Sequence, residues 1–513
     1  LSLEGYDLSE LERLADDLGL SAADLASGHV ELPAWRAFYL DETLSDARRD
    51  EGFHRYVERL RAVDVTAYAP PADLRATLRP YQREGFGWLS ALADLGLGGI
   101  LADEMGLGKS VQLIALLLAR AEELRAGGGT LIVCPASLVY HWTAELRRFA
   151  PSLTAAAVAG PKRDRDRVRA HGADVLVTSY DLLRRDAEAW EERDLGCVVL
   201  DEAQYIKNQA TLTARAAKRL TAPLRLALTG TPVENRLSEL WSIFDFLMPG
   251  LLGSYASFSQ RFEAPILGRE EEPDEAEAAD AAARLAALVG PFVLRRLKAD
   301  VLPDLPPKLE SVVAVPLRGE QAKLYAAHEQ RLRADIAAPK PKDGRRFDER
   351  KVEVLAELTR LRQLCCDPAL VYENFRGRAA KMDALMDLVG EARDGGQKAL
   401  VFSQFTTYLA RIAERLDREG VPYYVITGAT PKRQRVELVD AFNADDTPVF
   451  LVSLRAGGTG LNLTGASVVI HADPWWNAAA EAQATDRAHR IGQTEAVSVY
   501  RVIAEGTIEE RIL

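Results

Sequence analysis

The chain has 513 residues, of which 48% are hydrophobic and 27% charged, and its formal net charge is −12. A single hydrophobic core stops growing at about 250–300 residues, so this length excludes one ordinary domain and predicts two or more. The acidic balance excludes a uniformly basic surface that would coat nucleic acid, although a local basic cleft is compatible with it.

Neither a membrane segment nor a structural metal site is predicted. The apolar run Val111–Ala119 has nine residues, whereas a membrane helix needs about 20. The four cysteines, Cys134, Cys197, Cys365 and Cys366, show no C-x-x-C spacing and lie far from paired histidines. This pattern argues against structural zinc and a disulfide framework and favours a reducing compartment. Rich Ala and Arg usage favours a bacterial protein.

Residues 1–70 are predicted to form a helical accessory segment, because the stretch DLSELERLADDLGLSAADL has apolar residues three and four apart. The segment ends at a Pro-rich joint, Pro70 and Pro71, which interrupts a helix. We find no catalytic motif in it. The chain is expected to be the core of a longer protein, because it begins at Leu1 and its last residues, GTIEERIL, stop inside a helical pattern.

Residues 71–250 are predicted to form an α/β domain. Four apolar runs, GTLIVCP, DVLVTSY, CVVLDEAQ and LRLALTGTP, end in polar or turn residues and alternate with helical stretches. Such runs are typical of strands in a parallel sheet that helices cover on both faces. A second series, KALVFSQF, PYYVITG, PVFLVSL, SVVIHADP and AVSVYRVI, predicts another such domain over residues 381–513.

Residues 251–380, between the two series, are predicted to be mostly helical. They contain an acidic stretch, REEEPDEAEAADAAAR, and a basic stretch, PKPKDGRRFDERK. Runs of like charge are usually solvated, so we expect both stretches to be exposed surface rather than specific binding sites.

The stretch LADEMGLGKS, Leu101–Ser110, ends like a phosphate-binding loop. A strand ending near Ala102 and a helix from about Lys109 would place it at the carboxyl end of a sheet, where a helix N-terminus favours phosphate. Asp103 stands where the G-x-x-x-x-G-K-[ST] pattern has its first glycine, so the loop alone leaves an ordinary Gly-rich turn as an alternative. The residues expected to hold the phosphates and Mg²⁺ are Gly106, Gly108, Lys109 and Ser110.

Two adjacent acids, Asp201 and Glu202, follow the apolar run CVVL. A carboxylate at such a strand end holds Mg²⁺ in phosphate-binding sheets, so Asp201 and Ser110 are the predicted magnesium ligands. Glu202 is then placed to orient or deprotonate the attacking water. Adjacent acids can instead cap a helix, but the spacing of about ninety residues from the loop is what two elements of one sheet would give.

Seven motifs occur in an order that resembles a known family. DEMGLGKS, DEAQ, LTGTP, LVSLRAGGTGLNLTGAS and QATDRAHRIGQ resemble those of the superfamily-two helicase-like ATPases. With LRPYQREGFGWL and DPWWN, the chain resembles more narrowly the Swi/Snf family of DNA translocases. The resemblance covers residues 78–513 and implies two RecA-like parallel-sheet domains with helical insertions. In this family Asp103 in place of the first glycine is the usual residue.

The resemblance implies that the chain binds ATP and Mg²⁺ in a site to which both domains contribute. Gln82 corresponds to the family glutamine that reads adenine, because a side-chain amide offers both a donor and an acceptor. Arg487 and Arg490 resemble arginine fingers that stabilise the phosphoryl transition state, and their spacing from Gln483 places the three on one helical face. The predicted catalytic residues are Lys109, Asp201, Glu202, Arg487 and Arg490. Further residues expected at ATP are Asp103, Glu104, Met105, Leu107, Gly458, Gly460 and Gln483.

The resemblance also implies a DNA track. The family motifs that line it supply hydroxyls, amides and a guanidinium, which bind phosphates without reading bases. The residues expected to contact DNA are Ser137, Ser179, Gln404, Thr430, Arg455, Asn462 and Trp475. The residues expected to couple hydrolysis to movement are Gln204, which stands where many relatives have histidine, Thr229 and Thr231.

The resemblance therefore implies a DNA-stimulated ATPase that moves along double-stranded DNA, or displaces bound proteins, without obligatory strand separation. A strand-separating or RNA-directed helicase is an alternative, because nothing in the sequence distinguishes a duplex tracker from a strand separator. A second alternative is a RapA-like factor that recycles RNA polymerase. The expected partners are double-stranded DNA and, in that second alternative, RNA polymerase or other DNA-bound proteins. The expected location is the bacterial cytoplasm, at the nucleoid.

Overall fold

The computed structural model describes residues 48–61, 65–230, 237–267, 275–337, 345–457 and 461–512, together with scattered positions before residue 48. The chain divides into two units, Leu1–Pro303 and Asp304–Leu513. This division falls inside the predicted helical segment 251–380, so the segment contributes to both units. Much of the predicted accessory segment lies outside the described residues, and its described helix is α1, Glu51–Arg61.

The first unit is built on a parallel sheet of seven strands in the order β3-β4-β2-β5-β6-β1-β7. The strands are β1 (Gly99–Leu101), β2 (Thr130–Cys134), β3 (Ala155–Ala157), β4 (Val175–Ser179), β5 (Cys197–Asp201), β6 (Leu224–Leu228) and β7 (Val293–Leu294). The four apolar runs are confirmed as β2, β4, β5 and β6. The sequence analysis did not predict β3 and β7, because three alanines and a two-residue strand carry little apolar pattern.

Helices surround the first sheet, and their bounds follow the expected signals. Helix α3 begins at Lys109, as predicted, and Pro80 occupies the first turn of α2, where a missing N–H costs nothing. The helices of this unit after α1 are α2 (Pro80–Asp94), α3 (Lys109–Ala119), α4 (Ala121–Ala126), α5 (Val139–Phe149), α6 (Lys162–Ala170), α7 (Tyr180–Arg185), α8 (Ala187–Glu191), α9 (Leu212–Arg219), α10 (Leu237–Leu247), α11 (Tyr255–Phe258), α12 (Ala264–Leu267), α13 (Glu275–Val289) and α14 (Lys298–Val301).

The second unit is built on a parallel sheet of six strands in the order β10-β11-β9-β12-β13-β8. The strands are β8 (Lys308–Pro316), β9 (Ala399–Ser403), β10 (Tyr423–Ile426), β11 (Val449–Ser453), β12 (Val468–His471) and β13 (Val497–Glu505). The five predicted strands are confirmed as β9 to β13. The segment predicted as mostly helical also contains β8, an edge strand whose residues are largely exposed. The sequence analysis missed this strand although residues 312–315, VVAV, are apolar.

Helices of the second unit precede or connect its strands. They are α15 (Gly319–Ala337), α16 (Arg345–Cys366), α17 (Ala380–Asp394), α18 (Thr406–Glu419), α19 (Lys432–Ala444), α20 (Leu454–Gly457) and α21 (Ala478–Thr485). In the part of the chain that the structure describes, no helix has both the length and the apolar character needed to cross a bilayer.

Each sheet has a hydrophobic core on both of its faces, because successive strand side chains point in opposite directions. In β5, Val198 and Leu200 join one cluster, whereas Cys197 and Val199 join the other. The second sheet divides its residues in the same way between two further clusters. Burial on both faces explains why these strands read as unbroken apolar runs and leaves polar chemistry to the strand ends.

One helical prediction is wrong. The spacing of Gln483, Arg487 and Arg490 predicted a single helical face, but α21 ends at Thr485. Beyond that residue the backbone tightens into short-range turns, in which the N–H of Arg487 donates to the carbonyl of Ala484. Arg487 and Arg490 therefore lie on a turn after the helix, and their spacing does not define a common face.

Candidate nucleotide-binding site

The phosphate-binding loop, residues 102–108, connects the carboxyl end of β1 to α3. Gly106 and Gly108 adopt left-handed backbone angles, with φ of 86° and 78°. Gly108 is the N-cap of α3, and no side chain caps this helix, so its first N–H groups lack the usual side-chain acceptor. A Cβ atom on Gly108 would stand 2.5 Å from Nε2 of Gln82. Glycine is therefore required there both by conformation and by space.

Lys109 folds back across this loop. Its Nζ donates a hydrogen bond of 2.7 Å to the backbone carbonyl of Asp103. Burial raises the pKa of the Asp201 carboxyl at the end of β5, and the positive charge of Lys109 offsets part of that rise. The structure thus brings together the loop lysine and the strand-end acid that the sequence placed about ninety residues apart.

Asp201 is held by two donors. The indole Nε1 of Trp142, in α5, donates to Oδ2 at 2.8 Å, and the backbone N–H of Glu202 donates to Oδ1 at 2.9 Å. Burial raises the pKa of Asp201 to about 7, and the neighbouring negative charge of Glu202 adds to this effect. Burial disfavours the ionised form of this carboxyl, and a bound cation would stabilise that form.

Glu202 begins a hydrogen-bonded chain that leaves the strand end. Its Oε2 accepts from Nε2 of Gln204 at 2.7 Å, and Oε1 of Gln204 accepts from Oγ1 of Thr229 at 3.0 Å. Thr229 directly follows β6, so this chain connects the ends of two neighbouring strands. The residues predicted for coupling, Gln204 and Thr229, are thus bonded to each other, whereas Thr231 lies outside the described residues.

Gln82 lies beneath the loop. Its Nε2 donates to the carbonyl of Leu107, and its Oε1 accepts from the N–H of Arg79, both at 3.0 Å. The amide is buried, and it already uses a donor and an acceptor of the kind that adenine would require. Its placement at the loop agrees with a role near the nucleotide.

Asp103 has a structural partner that the sequence analysis did not predict. Its fully buried carboxylate forms two hydrogen bonds with Arg296, of 2.9 and 2.6 Å, and accepts a third from Nε2 of Gln112 at 3.1 Å. The side chain is therefore engaged within the protein. The family resemblance places the stretch RRLKADV, which contains Arg296, near the cleft or the DNA track, and an ordinary basic helix end is the simpler explanation. Nothing in the sequence pairs this arginine with Asp103.

The remaining loop residues are also placed. Glu104 accepts a hydrogen bond of 2.7 Å from the N–H of Lys298, and Ser110 is half-buried in the first turn of α3. Met105 packs beside Gly230, where a Cβ would come within 3.0 Å of Cγ of Met105. The loop is thus embedded between β6 and the segment that follows β7.

The second unit contains the predicted arginine fingers. Arg487 is 8% exposed, and its carbonyl accepts a hydrogen bond from the N–H of Leu463. Gln483 and Arg490 are half-buried. Gly458 and Gly460 lie outside the described residues. The finger role of the two arginines stays a prediction.

The predicted DNA-contacting residues of the first unit lie at strand ends. Ser137 is half-buried in the turn between β2 and α5. Ser179 is buried and caps α7, because its side chain accepts from the N–H of Leu182 at 3.4 Å. Its hydroxyl therefore already has a structural role.

In the second unit the predicted DNA-contacting residues differ in exposure. Gln404 is half-buried, and its backbone N–H donates to the buried Asp473 at 3.3 Å. Thr430 uses its hydroxyl to accept from the N–H of Thr427, and Asn462 is exposed. The surroundings of the Arg455 side chain lie outside what the structure describes.

The tryptophan pair of DPWWN is divided between core and surface. Trp475 packs against a hydrophobic cluster of the second unit, whereas Trp476 is 56% exposed. The guanidinium of Arg362 lies 5.6 and 6.0 Å from the two ring centroids. The sequence analysis assigned Trp475 to DNA, but the exposed ring of the pair is Trp476.

Three known families match the chain. The SNF2-related domain matches residues 81–370, the Helicase conserved C-terminal domain matches 380–492, and the domain described as Bacterial SNF2 helicase associated matches 1–71. The first match contains the loop, Asp201 and Gln204, and the second contains Arg487 and Arg490.

Curated relatives are similar to this chain over most of its length. The putative ATP-dependent helicase/translocase YwqA of Bacillus subtilis is 42% identical over 451 residues, which are 86% of this chain and 48% of the relative. An uncharacterized ATP-dependent helicase of Mycoplasma pneumoniae is 38% identical over 99% of this chain and 48% of its own length. The chain thus spans about half the length of these two relatives. The TATA-binding protein-associated factor mot1 of Aspergillus fumigatus is 36% identical over 92% of this chain and 28% of its own length.

Solved structures also match. The Sulfolobus solfataricus SWI2/SNF2 ATPase core in complex with dsDNA is 37% identical, covers 87% of this chain and 91% of its own, and has a TM-score of 0.46. A structure of the Sulfolobus solfataricus SWI2/SNF2 ATPase core domain is 36% identical, covers 87% of this chain and 89% of its own, and has a TM-score of 0.44.

Proposed function

The chain belongs to the SNF2-related family of ATP-dependent helicases and translocases, and from this premise we propose that it is a DNA-stimulated ATPase that moves along double-stranded DNA. The observation that carries the proposal is the hydrogen-bonded chain from Glu202 through Gln204 to Thr229. It starts beside the buried Asp201 and ends at the neighbouring strand. A change at the nucleotide therefore has a physical route into the sheet.

The residues of the first unit fit ATP and Mg²⁺. The uncapped N-terminus of α3 and the two left-handed glycines offer backbone N–H groups to phosphates. Asp201 and Ser110 would hold Mg²⁺, which when bound neutralises charge during phosphoryl transfer. Glu202 would orient the attacking water or accept its proton, while its hydrogen bond from Gln204 fixes the direction of the carboxylate.

The two motifs that contain the predicted DNA contacts Ser137 and Ser179 are CPASLVYHW, residues 134–142, and TSYDLL, residues 178–183. Both are bonded to Asp201: Trp142 of the first donates to its side chain, and the hydroxyl of Tyr180 of the second donates to its backbone carbonyl at 2.8 Å. A phosphate backbone bound along these motifs would thus lie one side chain away from the magnesium ligand. These contacts support stimulation of hydrolysis by DNA.

Arg487 and Arg490 are proposed to complete the site from the second unit. Permanently charged planar guanidinium groups suit a phosphoryl transition state, and an arginine finger is typically worth about 10³ to 10⁵ in rate. They lie on a turn after α21 rather than on the helix itself. DNA contacts in this unit are proposed at Gln404, Thr430 and Asn462, and at the exposed ring of Trp476.

A triplex-displacement assay tests the motor. A third strand is annealed over a duplex, and its release by the protein with ATP and Mg²⁺ is followed while the integrity of the duplex is measured in parallel. We expect ATP-dependent release of the third strand without separation of the duplex. The control is Glu202→Gln, which keeps the shape of the side chain but removes the proposed base, and we expect it to release nothing.

The alternatives give different outcomes in companion assays at one fixed salt concentration. Separation of the duplex would support a strand-separating helicase instead. Stronger stimulation of hydrolysis by RNA or single-stranded DNA than by duplex DNA would contradict the proposed track. Co-purification with RNA polymerase would favour a polymerase-recycling role. The SNF2-related match and the two motifs bonded to Asp201 favour duplex translocation over these alternatives.

A further inference from the structure

The guanidinium of Arg296 is a buried junction next to the phosphate-binding loop. Its Nε and Nη2 donate to the two carboxylate oxygens of Asp103 at 2.9 and 2.6 Å, and Nη2 also donates to Oε1 of Gln112 at 2.9 Å. Asp103 is fully buried, and Arg296 is 9% exposed. Gln112, which lies in α3, closes the triangle by donating to Asp103 at 3.1 Å. Loop and helix are thus cross-linked by one arginine.

The same guanidinium also reaches the helix that carries Gln82. Its Nη1 donates to the backbone carbonyl of Tyr81, and its carbon atom lies 5.3 Å from the centroid of the Tyr81 ring. The hydroxyl of Tyr81 in turn donates to the carbonyl of Leu107 at 3.0 Å. Arg296 therefore contacts the three elements that surround the nucleotide position, namely α2, the loop and α3.

Main-chain hydrogen bonds fix the arginine relative to the loop. The N–H of Ala102 donates to the carbonyl of Leu294 at 2.7 Å, and the N–H of Glu104 donates to the carbonyl of Arg296 at 2.9 Å. These bonds continue the parallel pairing of β1 with β7 past the strand end. The first half of the loop, where Asp103 lies, is thus held as an extra piece of strand.

This arrangement gives a physical reason for an acid in place of the first glycine. A glycine at that position would leave the loop backbone without a side chain to hold it. Here the Asp103 carboxylate holds the loop backbone in place through its pairing with Arg296. The free-energy cost of burying the carboxylate is offset because the guanidinium binds it through two hydrogen bonds.

We infer that Arg296 is a positioning residue for ATP: through Asp103, Gln112 and Tyr81 it holds the phosphate-binding loop in its binding conformation without touching the nucleotide. The inference rests on the proposed function only in that this loop binds the phosphates of ATP. It does not depend on DNA or on translocation. Residues 293–298 come shortly before Pro303 in the chain, where the first unit ends. Their hydrogen bonds to the loop therefore hold the segment that leads to the second unit.

The test is a comparison of nucleotide affinity between two buried ion pairs of the first unit. The matched control is Arg165, whose Nε and Nη2 donate to Asp186 at 2.7 Å each. Arg296→Met and Arg165→Met each leave a buried carboxylate without that partner. With ADP and Mg²⁺ as the probe in isothermal titration calorimetry, we expect Arg296→Met to raise Kd by about tenfold or more and Arg165→Met to leave it within about twofold.

Steady-state hydrolysis supplies a second readout. Because Arg296 does not reach the reacting phosphate, its removal should raise KM for ATP more than it lowers kcat, and Arg296→Lys, which keeps the charge but loses the fork, should recover part of the affinity. If Arg296→Met does not fold, Asp103→Asn, which keeps the size of the side chain, takes its place and should weaken ADP binding in the same way.

Two results would overturn the inference. One is an ADP affinity that is unchanged in Arg296→Met and in Asp103→Asn. The other is an equal loss of affinity in the Arg165→Met control, which would make the effect one of general stability. Failure of the proposed function looks different, since the parent protein itself would then bind ADP but show no hydrolysis with DNA.

Discussion

At the scale of single residues, Glu202 is the proposed base and has a strained backbone. It is the one residue other than glycine in the described part of the chain that has a positive φ, of 52°. Such a conformation costs on the order of 1–3 kcal/mol and persists only where neighbours enforce it. The hydrogen bond from Gln204 and the short helix Ala203–Ile206 supply that enforcement. The strained backbone orients the side chain of the proposed base. Glu202→Gln should therefore keep this orientation and remove only the carboxylate that would accept the proton.

Asp186 allows a prediction about acid stability. Hydrogen bonds from Arg165 and Arg169 lower the pKa of its carboxyl to about 2. Because the folded-state pKa of Asp186 lies below its unfolded value, the interaction of its carboxylate with the two arginines stabilises the fold above about pH 4. This contribution is lost as the pH falls towards 2. Urea unfolding measures the free energy of unfolding of the parent and of Asp186→Asn across this pH range. The parent should lose about 2 kcal/mol as the pH falls from about 4 towards 2, and the variant should not show this loss.

The exposed Asp181 provides the control for that experiment. Its carboxylate lies 3.8 Å from Arg184 at the surface, where an ion pair contributes little. Asp181→Asn should therefore retain the pH dependence of the parent. Parallel profiles for the parent and Asp186→Asn would contradict the prediction.

At the scale of elements, the turn from β1 into α3 is the proposed binding position of the ATP phosphates. We predict that Gly108→Ala weakens ADP binding by about tenfold or more, because a left-handed conformation is strained for alanine and its Cβ would meet Gln82 at 2.5 Å. Calorimetry with ADP and Mg²⁺ measures the effect. The loop would have to shift, and the N–H groups at the start of α3 would move with it.

Gly172→Ala is the control that separates a local effect on ADP binding from a general loss of stability. It also has a left-handed conformation, with φ of 68°, but no atom lies within 4 Å of the Cβ that alanine would add. Gly172→Ala should therefore lower the melting temperature slightly and leave ADP affinity unchanged. Equal affinities for ADP in the parent and Gly108→Ala would show that the turn does not position the phosphates.

At the scale of the whole molecule, the residues predicted to take part in hydrolysis are divided between the two units. The loop and Asp201 belong to the first unit, and Arg487 and Arg490 to the second. If the arginines act only on the transition state, Arg487→Ala and Arg490→Ala should keep ADP affinity and lose about 10³-fold or more in turnover. Calorimetry and steady-state hydrolysis with duplex DNA distinguish binding from turnover.

Arg418, exposed on α18, is the control for these arginines. Arg418→Ala removes the same charge from the second unit and should leave turnover within about twofold of the parent. A loss of ADP affinity in Arg487→Ala or Arg490→Ala as large as the loss of turnover would contradict the finger role. Melting temperatures of all three variants show whether the buried Arg487 also supports the fold.

The strands that could be predicted are those buried on both faces. The runs that became β5 and β9 are apolar at every interior position because helices cover both sides of each sheet. The edge strand β8 was missed although residues 312–315 are apolar, because its other residues are polar or exposed and it lies in a segment with a mostly helical pattern. The end of α21 was missed because the spacing of Arg487 and Arg490 from Gln483 fits a helix that the chain does not continue.

The sequence by itself determined the order of the motifs and the parallel sheets, because loops that bind phosphate and strands buried on both faces each require particular residue types at fixed spacing. Only the tertiary structure showed that Asp103 pairs with Arg296, 193 residues further along the chain, and that Trp142 donates to Asp201. Such partners depend on which segments the fold brings together, and local pattern carries no information about a contact across that distance. The glycine missing from the loop is replaced by a carboxylate that needs a distant arginine.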